Sequence, residues 1–190
     1  MPGFNICGEG FGPSARTEAR RKHRWVFETL SIGNSGDQFE QDELLYLLKA
    51  QRPHLKFEEP TMHHDQEQAY FAGKHSWEPV TMSWYDIEQD PDISQRLWDW
   101  AEAVVDFSRA CVNPPSAYKG EAKLSMVSGC SGAGAGSGNA GGARITESWL
   151  FCNCWPKDLN WGDLDYADTE LATIEATMRY DRAKKLPVNG

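Results

Sequence analysis

Few residues in this chain could do chemistry, and they are poorly spaced for it. His63, His64 and Asp65, with His75 nearby, carry metal-ligand atoms, and Cys152 and Cys154 would point the same way from a strand. Zinc sites usually combine two ligand pairs at favourable spacing. One His-His and one Cys-x-Cys fall short of that, and Cys154, just before Trp155-Pro156, reads as small apolar filler at a strand end. Gly136-Ser-Gly138-Asn-Ala-Gly141 spells the dinucleotide fingerprint, but that motif needs a helix opening after it to meet the pyrophosphate. Here Arg144-Ile-Thr-Glu-Ser-Trp-Leu-Phe follows, a strand pattern, and no acidic residue stands at a second strand end. The glycines therefore read as a floppy hairpin connection. Asp163 and Asp165 pair two carboxylates, as a chain of net charge −9 does by chance. No Gly-x-Ser-x-Gly elbow, Walker loop or His-Glu-x-x-His occurs. No catalytic, metal or cofactor site is expected, and the chain reads as a non-enzyme.

The elements that carry these residues are mostly strands. Trp25 to Ile32 is β-branched and aromatic and ends at Gly33-Asn34-Ser35-Gly36, a strand and a turn. Glu43 to Lys49 has helical propensities but is short and apolar throughout, as a doubly buried strand would be. Leu55 and Phe57 alternate with Lys56, residues 68–72 read as a further short strand, and the polar stretch 61–67 between them reads as a hairpin tip. Val80, Met82 and Trp84 alternate with polar neighbours, as do Ala122, Leu124 and Met126. Ile145, Trp149 and Phe151 share a strand face, and residues 158–168 look like a loop. In the final strand, residues 170–180, Ala172, Ile174, Ala176, Met178 and Tyr180 take one face and Thr173, Glu175, Thr177 and Arg179 the other.

One convincing helix spans 91–109. Asp90 would cap it and Pro91 would open it, with Asp92 at the positive end of its dipole. Ile93, Leu97, Trp100, Ala101, Val104 and Phe107 would form the apolar stripe, with Asp99, Glu102 and Asp106 facing away and Asn113-Pro114-Pro115 ending it. About eight strands and one helix favour a mainly β protein, an antiparallel barrel or sandwich with a flanking amphipathic helix.

A chain of 190 residues, 40% hydrophobic with eight Trp, six Tyr and eight Phe, can bury a single-domain core and is not disordered as a whole. Its acidity argues against a general nucleic-acid binder. Five cysteines (Cys7, Cys111, Cys130, Cys152, Cys154) at irregular spacing suit idle thiols in a reducing compartment. With no apolar run near the ~20 residues of a membrane span and no signal-peptide stretch, the expectation is a soluble intracellular protein without membrane partners. Charge is unevenly spread: residues 1–24 carry Arg16, Arg20, Arg21, Lys22 and Arg24 against Glu9 and Glu18, a net +3, so the rest must sum to −12 to reach −9. A basic arm on an acidic body suggests that one copy's arm lies on another's body. Tryptophan on a β face also stacks on sugars, so a carbohydrate-binding sandwich module is the rival class. Core packing accounts for Trp25, Trp84, Trp100 and Trp149, while Trp77, Trp155 and Trp161 flank strand ends.

Several separated patches, in order, resemble phage tail tube proteins. Trp155-Pro156-Lys157, Gly162, Leu164-Asp165-Tyr166 and Arg179-Tyr180-Asp181 are similar to that family's C-terminal signature. Arg24-Trp-Val-Phe-Glu28 resembles its opening strand and Leu47-Leu-Lys-Ala-Gln-Arg-Pro53 its second, which favours strand over helix there. Trp77-Glu-Pro-Val-Thr-Met-Ser-Trp-Tyr-Asp86 and the helix after it resemble its central strand and helix. The resemblance implies a flexible arm over 1–19, a tail-tube β-barrel domain over 20–183 with a Gly-rich loop at 128–143, and a tail from 184 to 190. It implies a structural subunit of a contractile phage tail, with no cofactor, forming stacked hexameric rings whose lumen conducts DNA without binding it. Its implied partners are further copies, tail sheath, baseplate and tail terminator proteins, and its place is the virion after assembly in the host cytoplasm. A related tube is the haemolysin-coregulated ring of type VI secretion, an alternative within the class. On this reading Arg20, Arg21, Lys22, Arg24, His63, His64 and Asp65 are expected to contact neighbouring rings. Thr173, Glu175 and Thr177 are expected to line the lumen, and the acidic charge to keep DNA from sticking.

Overall fold

The computed structural model describes residues 20–33, 36–65, 67–88, 92–127, 145–167 and 169–188. The 1–19 arm, the Gly-rich loop 128–143, Asp90 and Pro91 lie outside them. In chain order the elements are β1 (Trp25–Ile32), β2 (Asp37–Gln38), α1 (Gln41–Leu45), β3 (Leu47–Ala50), β4 (His54–Phe57), β5 (Thr61–His64), β6 (Glu67–Tyr70), β7 (His75–Glu78) and β8 (Val80–Tyr85). Then come α2 (Ile93–Val104), β9 (Val105–Asp106), β10 (Cys111–Val112), α3 (Pro115–Tyr118), β11 (Gly120–Val127), β12 (Ile145–Asn160), β13 (Thr173–Arg179) and β14 (Arg182–Leu186). The protein is mainly β and antiparallel, as expected.

One sheet path runs β2-β1-β11-β12-β13-β8-β3, with β14 also paired to β12. β12 makes the turn between its halves: residues up to Cys154 pair with β11 and β14, and residues 155–160 pair with β13. Asn153 sits between them in left-handed backbone (φ 58°), at a register shift opposite Gly120 and Glu121. Such a bulge bends a strand and re-aims it. The loop expected over 158–168 therefore begins later, because Pro156, which cannot donate a ladder hydrogen bond, is placed where a second register shift absorbs it. Lys184 and Lys185, expected to open a tail, lie in β14.

The core is built by alternation. Ile174, Ala176 and Met178 of β13 are buried together with Val80, Met82 and Trp84 of β8, Leu30 of β1 and Phe151 of β12. The α2 helix lies on this core through Ile93, Leu97 and Trp100, spaced one helical stripe apart. Its described cap is Asp92, whose Oδ1 accepts the Ser94 N–H at 3.0 Å. The helix stops at Val104, five residues short of expectation, because Asn113 returns to cap it: its Nδ2 donates to the carbonyls of Glu102 and Ala103. Phe107 is consequently off the stripe and exposed. The 43–49 segment resolves its helix-strand ambiguity by being both, one turn of α1 followed by β3. Glu43 closes a capping box with Glu40 and is fully buried, with Arg96 Nε 3.2 Å from its Oε1.

The 51–79 segment is one long nested hairpin continuing the β3–β8 pair outward, β4 with β7 and then β5 with β6. The expected partner of Leu55 and Phe57, residues 68–72, is thus replaced by β7, since the expected tip forms a hairpin of its own.

Candidate self-assembly surfaces

The second half of β12, β13, β8 and β3 form a four-strand antiparallel layer. Among the described residues, β3 has a strand neighbour on one side only, β8, and residues 155–160 have only β13. Both margins of this layer therefore present backbone N–H and C=O groups without a strand partner, which in isolation invite pairing with another chain.

One face of the layer is buried and the other is polar. Thr173, Glu175 and Thr177 are on that polar face, opposite Tyr85, Ser83 and Thr81 of β8, with Lys49 of β3 across from Ser83. All three residues expected to line a channel thus share one surface. Its charge is mixed, with Glu175 and Lys49 in one row and Asp158 paired with Thr177 in the next.

The basic segment is anchored within its own chain. Arg20 Nη1 binds the buried Glu147 carboxylate and its Nη2 donates to the Thr146 carbonyl at 3.1 Å. Glu147 also accepts the Trp149 Nε1–H and has Arg52 3.9 Å away. Arg24 accepts the Val127 N–H on its carbonyl, extending the β1–β11 ladder. Arg21 and Lys22 are exposed. His63 and His64 lie in β5 and Asp65 in the turn after it with φ 54°, at the far end of the nested hairpin; the His64 side chain lies outside the described part. Along this hairpin Leu55, Phe57, Met62, Tyr70 and Phe71 are exposed, a long apolar-bearing arm that the other described residues leave uncovered.

Among the described residues no group of three or more His, Cys, Asp or Glu could hold a metal ion. His75 packs against Phe57, with ring centroids 6.4 Å apart, at the base of the arm. Cys152 and Cys154 are buried, and burial pushes the Cys154 thiol far up, so it is inert. Among the described residues no helix is long and apolar enough to cross a membrane.

The Arg179-Tyr180-Asp181 motif holds the β12 bend. Tyr180 is buried edge-on against Phe151 at 5.0 Å and beside Trp77 at 6.0 Å. Asp181 accepts hydrogen bonds from Lys119 Nζ and Asn153 Nδ2, both at 2.9 Å. Burial alone would raise this carboxyl, but those donors outweigh it and hold it below its ordinary value.

No protein-family model matches the chain, and no curated protein is similar to it in sequence. Solved structures are similar in fold. A chain of the anti-feeding prophage baseplate superposes with TM-score 0.66 at 11% identity, covering 90% of this chain and 98% of that one. A chain of that prophage's tube-terminating cap gives 0.63 at 15% identity over 96% and 99%. A chain of the sheath/tube terminator of the extracellular contractile injection system PVC gives 0.62 at 14% identity over 91% and 100%. The fold is one shared with contractile injection systems. Within that fold, sequence reasoning overlooked one feature: Trp98, Phe107 and Trp161 form an exposed aromatic group, with Trp98 stacked on Phe107 at 5.2 Å and 6.0 Å from Trp161. The helical spacing held the signal, since Trp98 falls one residue off the Leu97 stripe.

Proposed function

We propose that this chain is a structural, non-catalytic subunit of the tube of a contractile phage tail or a related injection machine. The observation that carries the reading is the pair of open margins on one four-strand layer. Four antiparallel strands place β3 and the second half of β12 in opposite directions. Copies set side by side with the same polarity therefore meet as an antiparallel pair, and repetition closes a ring with no exposed edge. A ring of six is favoured by the likeness to a baseplate chain from a 6-fold symmetrised structure.

In this ring the polar face bearing Thr173, Glu175 and Thr177 lines the lumen, and DNA passes without a binding site. The nested hairpin with His63, His64 and Asp65, and the exposed Arg21 and Lys22, contact the rings above and below. The likeness to chains from a sheath/tube terminator, a sheath-tube complex and a baseplate supports sheath, terminator and baseplate as partners, and the assembled tail as the place of work. A type VI-like secretion tube would use the same ring.

Native mass measurement with negative-stain microscopy tests this reading. Closed rings or hollow tubes are expected as concentration rises; a monomer at every concentration, alone or with its sheath protein, overturns it.

A further inference from the structure

The aromatic group centred on Trp98 of α2 is exposed. Trp98 is 42% exposed, Phe107 54% and Trp161 36%, and surface aromatics held together at stacking distance are the usual material of an interface core. Trp161 directly follows Asn160, the last residue of the open half of β12, so the group flanks one margin of the layer. At the other margin Leu45 and Tyr46, at the end of α1 just before β3, are also exposed, Leu45 to 72%.

The strand registers put the two groups at the same end of the layer. Lys49, Ser83, Glu175 and Asn160 form one row across β3, β8, β13 and β12. Leu47, Trp84 and Ile174 form the next row, and Trp161 leaves β12 toward it. Strand tilt in a closed ring staggers such rows by a few residues but does not exchange the ends of the strands.

We infer that Trp98, Phe107 and Trp161 of one copy receive Leu45 and Tyr46 of the adjacent copy in the same ring, sealing the seam beside its backbone pairing. The occupant is a second copy because the socket and its complement are continuous with the two margins that the ring joins, and the described residues of the single chain leave both exposed. This inference rests on the ring reading above. The contact is heterologous: each copy offers both halves, to different neighbours.

That asymmetry gives the test. Variant A carries Trp98→Asp and Trp161→Asp; variant B carries Leu45→Asp. All three positions are surface sites, so circular dichroism and thermal melting should show both variants folded. At a concentration where wild-type protein forms rings, each variant alone is expected to stay monomeric. Mixed one to one, A and B are expected to form a heterodimer and nothing larger, because only B's socket and A's complement remain intact. Rings formed by variant A as readily as by wild type, or monomeric variants that give no heterodimer on mixing, overturn the inference while leaving the ring reading standing. Absence of rings from wild-type protein itself removes the ring reading and this contact together.

Discussion

Lys119 Nζ lies 2.9 Å from Asp181 Oδ2, tying the turn before β11 to the link between β13 and β14. Asn153 binds the same carboxylate, so three chain segments converge where β12 passes from one half of the sheet to the other. Because Asp181 is nearly half exposed, Asp181→Ala should cost no more than about 1 kcal/mol at neutral pH in urea unfolding. The sign with pH is defined. Its folded pKa is below the ordinary 3.8, so this contribution is complete above that value and is lost as pH falls through the folded pKa. The wild-type advantage over Asp181→Ala should therefore shrink on acidification below pH ~4.

Glu43 should behave in the opposite sense. Its burial raises the carboxyl above the ordinary 4.5, although the Glu40 backbone hydrogen bond and Arg96 pull it down. The folded chain then holds this proton more tightly than the unfolded one, so stability from this group is greatest below pH 4.5 and declines as pH rises through the raised value. Stability measured against Glu43→Gln across that range should show wild type losing ground as pH increases. A flat difference would contradict the assignment.

Gly120 allows β1 and β11 to approach. A Cβ there would sit 1.8 Å from the Ser31 carbonyl oxygen, backbone that cannot swing away. Gly120→Ala should destabilise the monomer by about 3 kcal/mol or more, or prevent soluble expression. Denaturant midpoints check this directly.

Arg20 and the residues before it should separate cleanly. Arg20→Ala leaves Glu147 buried with Trp149 and the more distant Arg52, and should cost about 1–3 kcal/mol. Deleting residues 1–19 removes none of these contacts and should leave the melting temperature of the monomer unchanged. A large loss on deletion would mean that the arm braces its own body.

The proposed lumen can be probed chemically. In Glu175→Cys protein, with Cys7, Cys111 and Cys130 replaced by serine, a small maleimide should label assembled tubes, whereas a long polyethylene-glycol maleimide should label only dissociated subunits. Equal labelling of tubes by both reagents would place Glu175 on the outside.

Where alternation ruled, the sequence was legible. Ile174, Ala176, Met178 and Tyr180 are buried, and Thr173, Glu175 and Thr177 share the other face, because a strand assigns faces by parity alone. What escaped was set by partners distant in sequence. Asn113 ends α2 from nine residues beyond Val104, and Pro156 is accommodated in β12 only because the sheet shifts register around it. Of the candidate site, the polar face was readable and the margins were not: that β3 and residues 155–160 bound one layer depends on strand order, which spacing does not encode. Of the aromatic group, Trp98 alone had a local sign, its place one residue off the Leu97 stripe; Phe107 and Trp161 join it from a hairpin and a strand end, by packing that spacing does not encode.

A cryo-electron microscopy map of the assembled tube, resolved to separate strands, tests the account at its centre. The account predicts β3 of each subunit hydrogen-bonded, antiparallel, to residues 155–160 of the next, around a wall that carries Thr173, Glu175 and Thr177 inward. A map in which those two margins remain unpaired, or in which the wall is closed by other strands, would contradict it.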